Sequence, residues 1–543
     1  MWSVPPFVPP VVRALSVHQV LELGPPNAFL AKALDPPDCA AVNAAVRGLI
    51  ELGALAVVAA PGSGSGAGGG GAGKALALTS LGHHVSRLPL PPRLAKLLVL
   101  GALFGCEEAC LTIAASLAER LPFAGPFDRR DSVRDAKCRL AGTSRSDHVA
   151  AVRAFDGWVK AGQQHHHQQP DQPAGQQAGP AVAVGVDGDG FVGPDCARRR
   201  FCRENWLSEP ALVAMAQLRA QYRRMLAAAG FLPEGGGQAR GGRRSGSGDG
   251  GDDDDDNDDE DEDSVSDDDD GALGGVGALR GRHAAVATPA WPAFAAAASD
   301  SLAAGRATVL VTSVLCAALC PGGVARVVPS RDPRKRGSAA VFTRTERVLV
   351  HPGSVNARGL GDPTSHGHGG GGRDAFLCFF AKQANAASPH AFLLDCSFVS
   401  PLAVLLLGGP LDVRRITGKA DRAGGERGER PHAKAFSKRQ GARCVVAVVG
   451  TGLAFEMPET AAVLVKVLRR SLEAHLAAAI AHPAALRLSA SRQEKCATPP
   501  SRAAAAGTDP GYSGGGVSVS CISAAQQRIR LLLGATAEFL SFY

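Results

Sequence analysis

The chain has 543 residues, 45% of them hydrophobic, which is enough for two to four domains with real cores. Its formal net charge of +7 conceals a division, because 15 acidic residues lie between Asp252 and Asp270, and without them 58 basic residues face 36 acidic ones, a net of +22. That basic remainder is the footprint of a nucleic-acid binder. A membrane-spanning helix is excluded, since no run of about 18 uninterrupted apolar residues occurs and the best candidate, Leu97 to Ala115, is broken by Glu107 and Glu108. The 13 cysteines contain no Cys-x-x-Cys pair, which argues against a four-ligand zinc site.

The opening MWSVPPFVPP lacks the basic and apolar regions of a signal peptide, so the expected location is intracellular, in the nucleus or cytoplasm. Pro36 and Pro37 start a helix whose stripe is Val42, Val46, Leu49 and Ile50, closed by Gly53. A Gly/Ser insert follows, Pro61 to Gly73. Gly68, Gly73 and Lys74 in and beside it mimic a phosphate loop, but Ala75 stands where a magnesium-binding hydroxyl is required.

Leu78 to Ala115 is the stretch in which the local signals agree best. Thr79 and Ser80 cap a helix carrying Leu81, Val85 and Leu88. Pro89, Pro91 and Pro92 break it, and Pro92 starts the next, with Leu94, Leu97, Leu98 and Gly101 on its buried side and Gly105 as its stop. Glu107 and Glu108 then favour the positive end of a third helix, with Leu111 and Ile113. Further helices are expected over 146–160 and after Asp195, separated by a Gln/His-rich loop. Asp147 and His148 are adjacent in sequence and so do not face each other as a catalytic pair; a structural or capping role is expected.

Residues 230–299, with the acidic tract, cannot bury enough apolar surface to order themselves and are expected to be a disordered linker. Beyond Ser301 a helix leads into strands expected over 341–346, 348–351, 376–382 and 392–396, the pattern of a small barrel. A basic insert runs from Arg414 to Arg443, then a strand over Cys444 to Val449, a helix over Pro458 to Ala479, and a loose tail.

The wording of these segments resembles the C-terminal region of the DEAH-box RNA helicases. Leu78 to Gly82, Arg87 to Pro89, Pro91 to Lys96 and Leu111 to Ala115 resemble the helicase-associated ratchet motifs, with Ser80, Pro91 and Ala95 as departures. Ala33 to Pro37 resembles the winged-helix segment, and the first 23 residues the exit of a RecA-like domain. Ser146, Asp147, His148 and Trp158, then Phe201, Cys202, Asn205 and Leu207, match the rest of the ratchet. Leu315 to Leu319, Ala325 to Val327, His351 to Asn356 and Asp395 to Pro401 match its OB-fold, with Ala318, Gly353 and Ser397 as departures.

The resemblance implies an α+β multidomain chain: a winged helix over 24–77, a helical ratchet over 78–229, a linker over 230–300 and an OB-like β-barrel over 301–410. It implies single-stranded RNA as a partner, held through Arg326, Arg344, His351, Ser354 and Arg358. Missing RecA-like motor domains and helicase regulators are the further partners it implies, with no membrane. ATP and magnesium are implied only for those motor domains, since the chain carries no phosphate loop, no DEAH motif and no arginine finger in the expected place. No cofactor, no metal and no catalytic residue are expected here. A free-standing RNA-binding adaptor and an interaction module for acidic proteins are the alternative readings. The acidic tract is expected either to mimic RNA or to be a solvated spacer, with Ser264 and Ser266 as sites for an acidophilic kinase.

Overall fold

The computed structural model describes residues 26–59, 74–119, 121–164, 194–233, 301–330, 338–360, 375–384, 388–416 and 442–483. The expected RecA-like remnant, the histidine run, the acidic linker and the tail beyond residue 483 lie outside these residues.

Two helices open the described chain, α1 (Pro26–Leu30) and α2 (Cys39–Leu52). Gly53 ends α2 at φ 82, a conformation that costs glycine little, and its N–H reaches the Ile50 and Leu49 carbonyls. A hairpin of β1 (Leu55–Ala59) and β2 (Lys74–Leu78) follows, pairing Leu55 with Leu78 and Ala59 with Lys74. Lys74 therefore opens a strand, in keeping with the rejection of a phosphate loop. Leu49, Leu52, Ala54 and Leu55 make a small apolar cluster here.

Seven α-helices follow among the described residues. They are α3 (Ser80–Arg87), α4 (Pro92–Phe104), α5 (Glu107–Ala118), α6 (Arg130–Ala141), α7 (Asp147–Gln164), α8 (Pro194–Glu204) and α9 (Glu209–Ala228). The Thr79 hydroxyl accepts from the Gly82 N–H at 3.0 Å, the cap that the sequence led one to expect. Gly101 lets α4 and α5 touch: a Cβ there would lie 2.6 Å from the Cys110 Cβ. Leu94, Leu97, Leu98, Leu111 and Ile113 are fully buried between these helices. A buried ion pair, Arg219 to Glu108 at 2.7 Å, ties α9 to α5. The Cys106 and Cys110 sulfurs, 3.7 Å apart, are core packing.

Five strands close a barrel in the order β3 (Val324–Pro329), β4 (Ala339–Phe342), β5 (Arg347–Val350), β7 (Phe392–Val399), β6 (Ala375–Gln383). All neighbours are antiparallel except β5 and β7. Ala325, Val327, Val341, Val348, Leu377, Phe379 and Leu393 fill its interior. Strand residues of the other parity, Val324, Phe376 and Cys378, join the large core shared with the helices, as alternation in a two-faced sheet requires.

The structure departs from the sequence reading in two places. Helix α10 (Ser301–Leu319), assigned by sequence to the barrel, puts Val311, Val314 and Leu315 into the same core as α4 and α5. It is a shared wall, because its apolar residues bury on more than one side. The start of the expected basic insert is a strand, β8 (Leu411–Arg415), which pairs with β9 (Arg443–Val448), the strand expected over Cys444 to Val449, and a further strand, β10 (Leu453–Pro458), lies on the far side of β9. Short helix α11 (Pro401–Leu407) precedes this sheet, and long helix α12 (Glu459–Ala481) packs against it. Gly452, in the β9–β10 turn, sits so close to the barrel that a Cβ would lie 3.2 Å from the Arg344 Cα.

Candidate nucleic-acid interface

The helices and the barrel meet at the start of α7. Arg145 has φ 47, the left-handed region, and turns the chain so that Ser146 bridges Ser397 of β7 in antiparallel fashion. The Asp147 carboxylate then points into the barrel and is satisfied on both oxygens. Its Oδ1 accepts from Lys137 Nζ of α6 at 2.9 Å and from the Val355 N–H at 2.9 Å. Its Oδ2 accepts from Ser354 Oγ at 2.6 Å and from the Cys396 N–H at 2.8 Å. Asp147 is 1% exposed and Lys137 4%, so this is a buried ion pair with its hydrogen bonds complete.

The surrounding residues extend the clamp. Asn356 donates from Nδ2 to the Arg145 carbonyl at 3.0 Å and to the Cys396 carbonyl at 3.1 Å. The Ser146 and Ser397 hydroxyls lie 2.6 Å apart, and the His148 Nδ1 lies 2.7 Å from Ser397 Oγ. His148 Nε2 has no hydrogen-bond partner among the described residues. Asp147 and His148 thus act structurally, one holding the barrel and the other packed beside it.

Electrostatics follow from burial. Desolvation pushes the Asp147 carboxyl up, but the Lys137 ammonium and the bonds from Ser354 and Val355 outweigh it and hold the group below its ordinary value. Burial alone would lower Lys137; the Asp147 and Asp395 carboxylates more than offset that and raise it. His148 is lowered by burial to about 4. Asp395, at φ 53 in β7, is raised by burial to about 6.

The expected RNA contacts divide. Ser354 is 2% exposed and its hydroxyl is given to Asp147, so it belongs to the clamp and not to a nucleic-acid surface. Arg326 is exposed on β3, Arg344 on the β4–β5 turn, and His351 and Arg358 in the segment after β5. Arg358 pairs with exposed Asp131 at 3.4 Å, an ion pair weak enough to yield to a phosphate. The His351 ring accepts from the Gly353 N–H at 3.1 Å. Arg344 and His351 bracket β5, about 23 Å apart at most at a rise of about 3.3 Å per residue.

Beside them an open cleft is lined by Cys138, Ala141, Gly142, Arg145, Val355, Arg358 and Gly359. Arg145 crosses it, donating to the Arg358 and Gly359 carbonyls at 3.3 and 3.2 Å. Sequence reasoning passed over Lys137 and Asn356 as clamp residues. Lys137 pairs with Asp147 on the next helix, and Asn356 bonds Arg145 across the seam and Cys396 within the barrel, and the sequence does not show that these residues meet. Among the described residues no cluster of metal-ligating side chains occurs, and no helix is long and apolar enough to cross a membrane.

Comparison with known proteins fits this architecture. Residues 91–153, from the start of α4 into α7, match the family described as helicase associated domain (HA2), ratchet-like. The chain is 32% identical over 232 residues to DExH-box ATP-dependent RNA helicase DExH1 of Arabidopsis thaliana, covering 42% of this chain and 18% of that protein. It is 30% identical over 231 residues to ATP-dependent RNA helicase dhx29 of Xenopus laevis, covering 42% of this chain and 14% of that one. Similarity to ATP-dependent DNA/RNA helicase DHX36 of Bos taurus is lower, 25%, but runs over 399 residues, 73% of this chain and 28% of the relative. Residues 91–153 match a ratchet-like helicase-associated domain, and the chain is similar to the C-terminal region of the DEAH-box RNA helicases. Its matches span less than a third of the length of these relatives.

Proposed function

We propose that this chain is the accessory part of an ATP-dependent RNA helicase, binding single-stranded RNA across the ratchet and an OB-type barrel while separate RecA-like domains supply the motor. The observation that carries this reading is the clamp at Asp147. It uses buried polar groups to fix the barrel on the ratchet, while Arg326, Arg344, His351 and Arg358 stay exposed. A small barrel binds single strands through a basic groove, and a rigid mount holds such a groove in register with the helices beside it. Winged-helix character is part of the same proposal, supported by α2 and the β1–β2 hairpin that follows it.

The test is oligouridine affinity against salt. Phosphate contacts by three arginines give a log–log slope of about −2; a flat response between low and physiological salt contradicts the proposal. ATP hydrolysis is measured in the same preparation, with and without RNA. The helicase reading expects none until motor domains are added, because the 543 residues hold no phosphate loop. If motor domains added in trans leave hydrolysis and RNA binding unaltered, the free-standing adaptor is the better reading.

A further inference from the structure

Helix α12 buries one face and leaves the opposite one bare. Ala462, Arg469, Leu472, Ala479 and Ile480 are buried against the fold. On the outer side Val463, Leu464 and Val467 are 55%, 69% and 60% exposed, three large apolar side chains within two turns. The stripe does not end there. Leu464, Val467, Ser471, Ala474 and Ala478 follow one another at steps of three, four, three and four. That is the spacing of a heptad seam, which a second helix matches and an extended strand does not. Large residues at one end and small ones at the other let a partner helix come close along the C-terminal half.

Charge decides which helix fits. The two acids of α12 are already taken, Glu459 by Arg415 and Glu473 by Arg469 at 2.7 Å. His475 lies against the Ser471 carbonyl, its Nδ1 within 2.5 Å. Lys466 and Arg470, both exposed beside the stripe, have no ion-pair partner among the described residues. The rim of the seam is therefore cationic. A second copy of this chain would bring the same cations with it, and RNA would gain nothing from the valine and leucine ridge. We infer that the outer face of α12 docks an amphipathic helix of a protein partner whose apolar stripe is flanked by glutamate or aspartate.

The probe is an acetylated peptide of about three heptads, with leucine at the seam positions and glutamate on both flanks, titrated into the full chain. A control peptide carries lysine in place of the glutamates. The acidic peptide binds at least about tenfold more tightly than the lysine peptide, and the order reverses in Lys466→Glu/Arg470→Glu. Leu464→Ser/Val467→Ser weakens the acidic peptide by at least about tenfold while the melting temperature stays put, since both side chains face solvent. Equal binding of the two peptides overturns the inference, as does binding that survives the serine pair. A wild-type chain that sediments as a dimer, turned monomeric by the serine pair, also overturns it by assigning the face to a second copy.

Discussion

The two sides of the barrel use charge in opposite ways. Toward the ratchet, Asp147 and Lys137 are buried and every carboxylate lone pair in use is matched by a donor. Elsewhere on the barrel, Arg326 and Arg344 are exposed. The buried set fixes where the barrel sits, because Asp147, charged by its pairing with Lys137, accepts from Ser354, Val355 and Cys396 on the barrel side, and buried bonds of this kind tolerate little displacement. On the proposed reading the exposed set meets RNA, and an exposed arginine contributes little to folding. The same segment, residues 351–358, feeds both: Ser354 and Asn356 face inward, His351 and Arg358 outward.

The largest effect is expected at the clamp. Asp147→Ala leaves Lys137 buried without its counter-ion and strands three further donors, and should cost about 3–5 kcal/mol in denaturant unfolding. A loss under about 1 kcal/mol would show that the seam is open to water. Replacing both partners, as in Asp147→Leu/Lys137→Met, should recover part of the loss, since the orphaned charge is gone.

Acid comes next. His148 has a folded value near 4 against an ordinary 6.5, so only the unfolded chain takes up its proton as pH falls between them. Stability from this residue is present above 6.5 and lost on the way down to 4, by about 3 kcal/mol at most. Asp395 works the other way: its value of about 6 against 3.8 means stability that is present at low pH and lost as pH rises through that window. The two oppose each other in the wild type. His148→Asn should therefore gain on the wild type steadily from pH 6.5 to 4, read as the difference in unfolding midpoint. A constant difference across that range would place His148 in contact with water.

The smallest effect is on the outer face. Arg326→Ala or Arg358→Ala should weaken oligouridine by about tenfold or less and reduce the salt slope by about 0.7 each. Loss of affinity with the slope unaltered would assign the residue to folding and not to phosphate.

How much of this could be read in the sequence depends on how local the cause is. Thr79, Gly53 and Gly105 announced their helix ends because a cap acts within a few residues. The barrel strands were legible because alternation repeats along each one. Helix α10 was recognised as a helix, but not as a wall of the shared core, because an apolar stretch carries no record of which neighbour it meets. Strand β9 was expected from the apolar run after Arg443, but its partner β8 hid at the start of the basic run, where Arg414 and Arg415 mask the short apolar alternation of Leu411 and Val413. The clamp was least legible. Asp147 meets Ser354 and Cys396 more than two hundred residues away, so neither its adjacency to His148 nor the match of Ser146 to His148 to the ratchet said anything of the barrel.

The division between a holding side and a binding side is tested most directly by crossing two substitutions against two readouts. Ser354→Ala and Arg344→Ala are each measured for unfolding free energy and for the salt slope of oligouridine binding. Ser354→Ala should lower stability by about 1–3 kcal/mol, as a buried carboxylate loses a donor, and leave the slope unchanged. Arg344→Ala should leave stability within about 0.5 kcal/mol and reduce the slope by about 0.7. The account is contradicted if Ser354→Ala flattens the slope with stability intact, or if Arg344→Ala unfolds the chain while the salt dependence stays as it was.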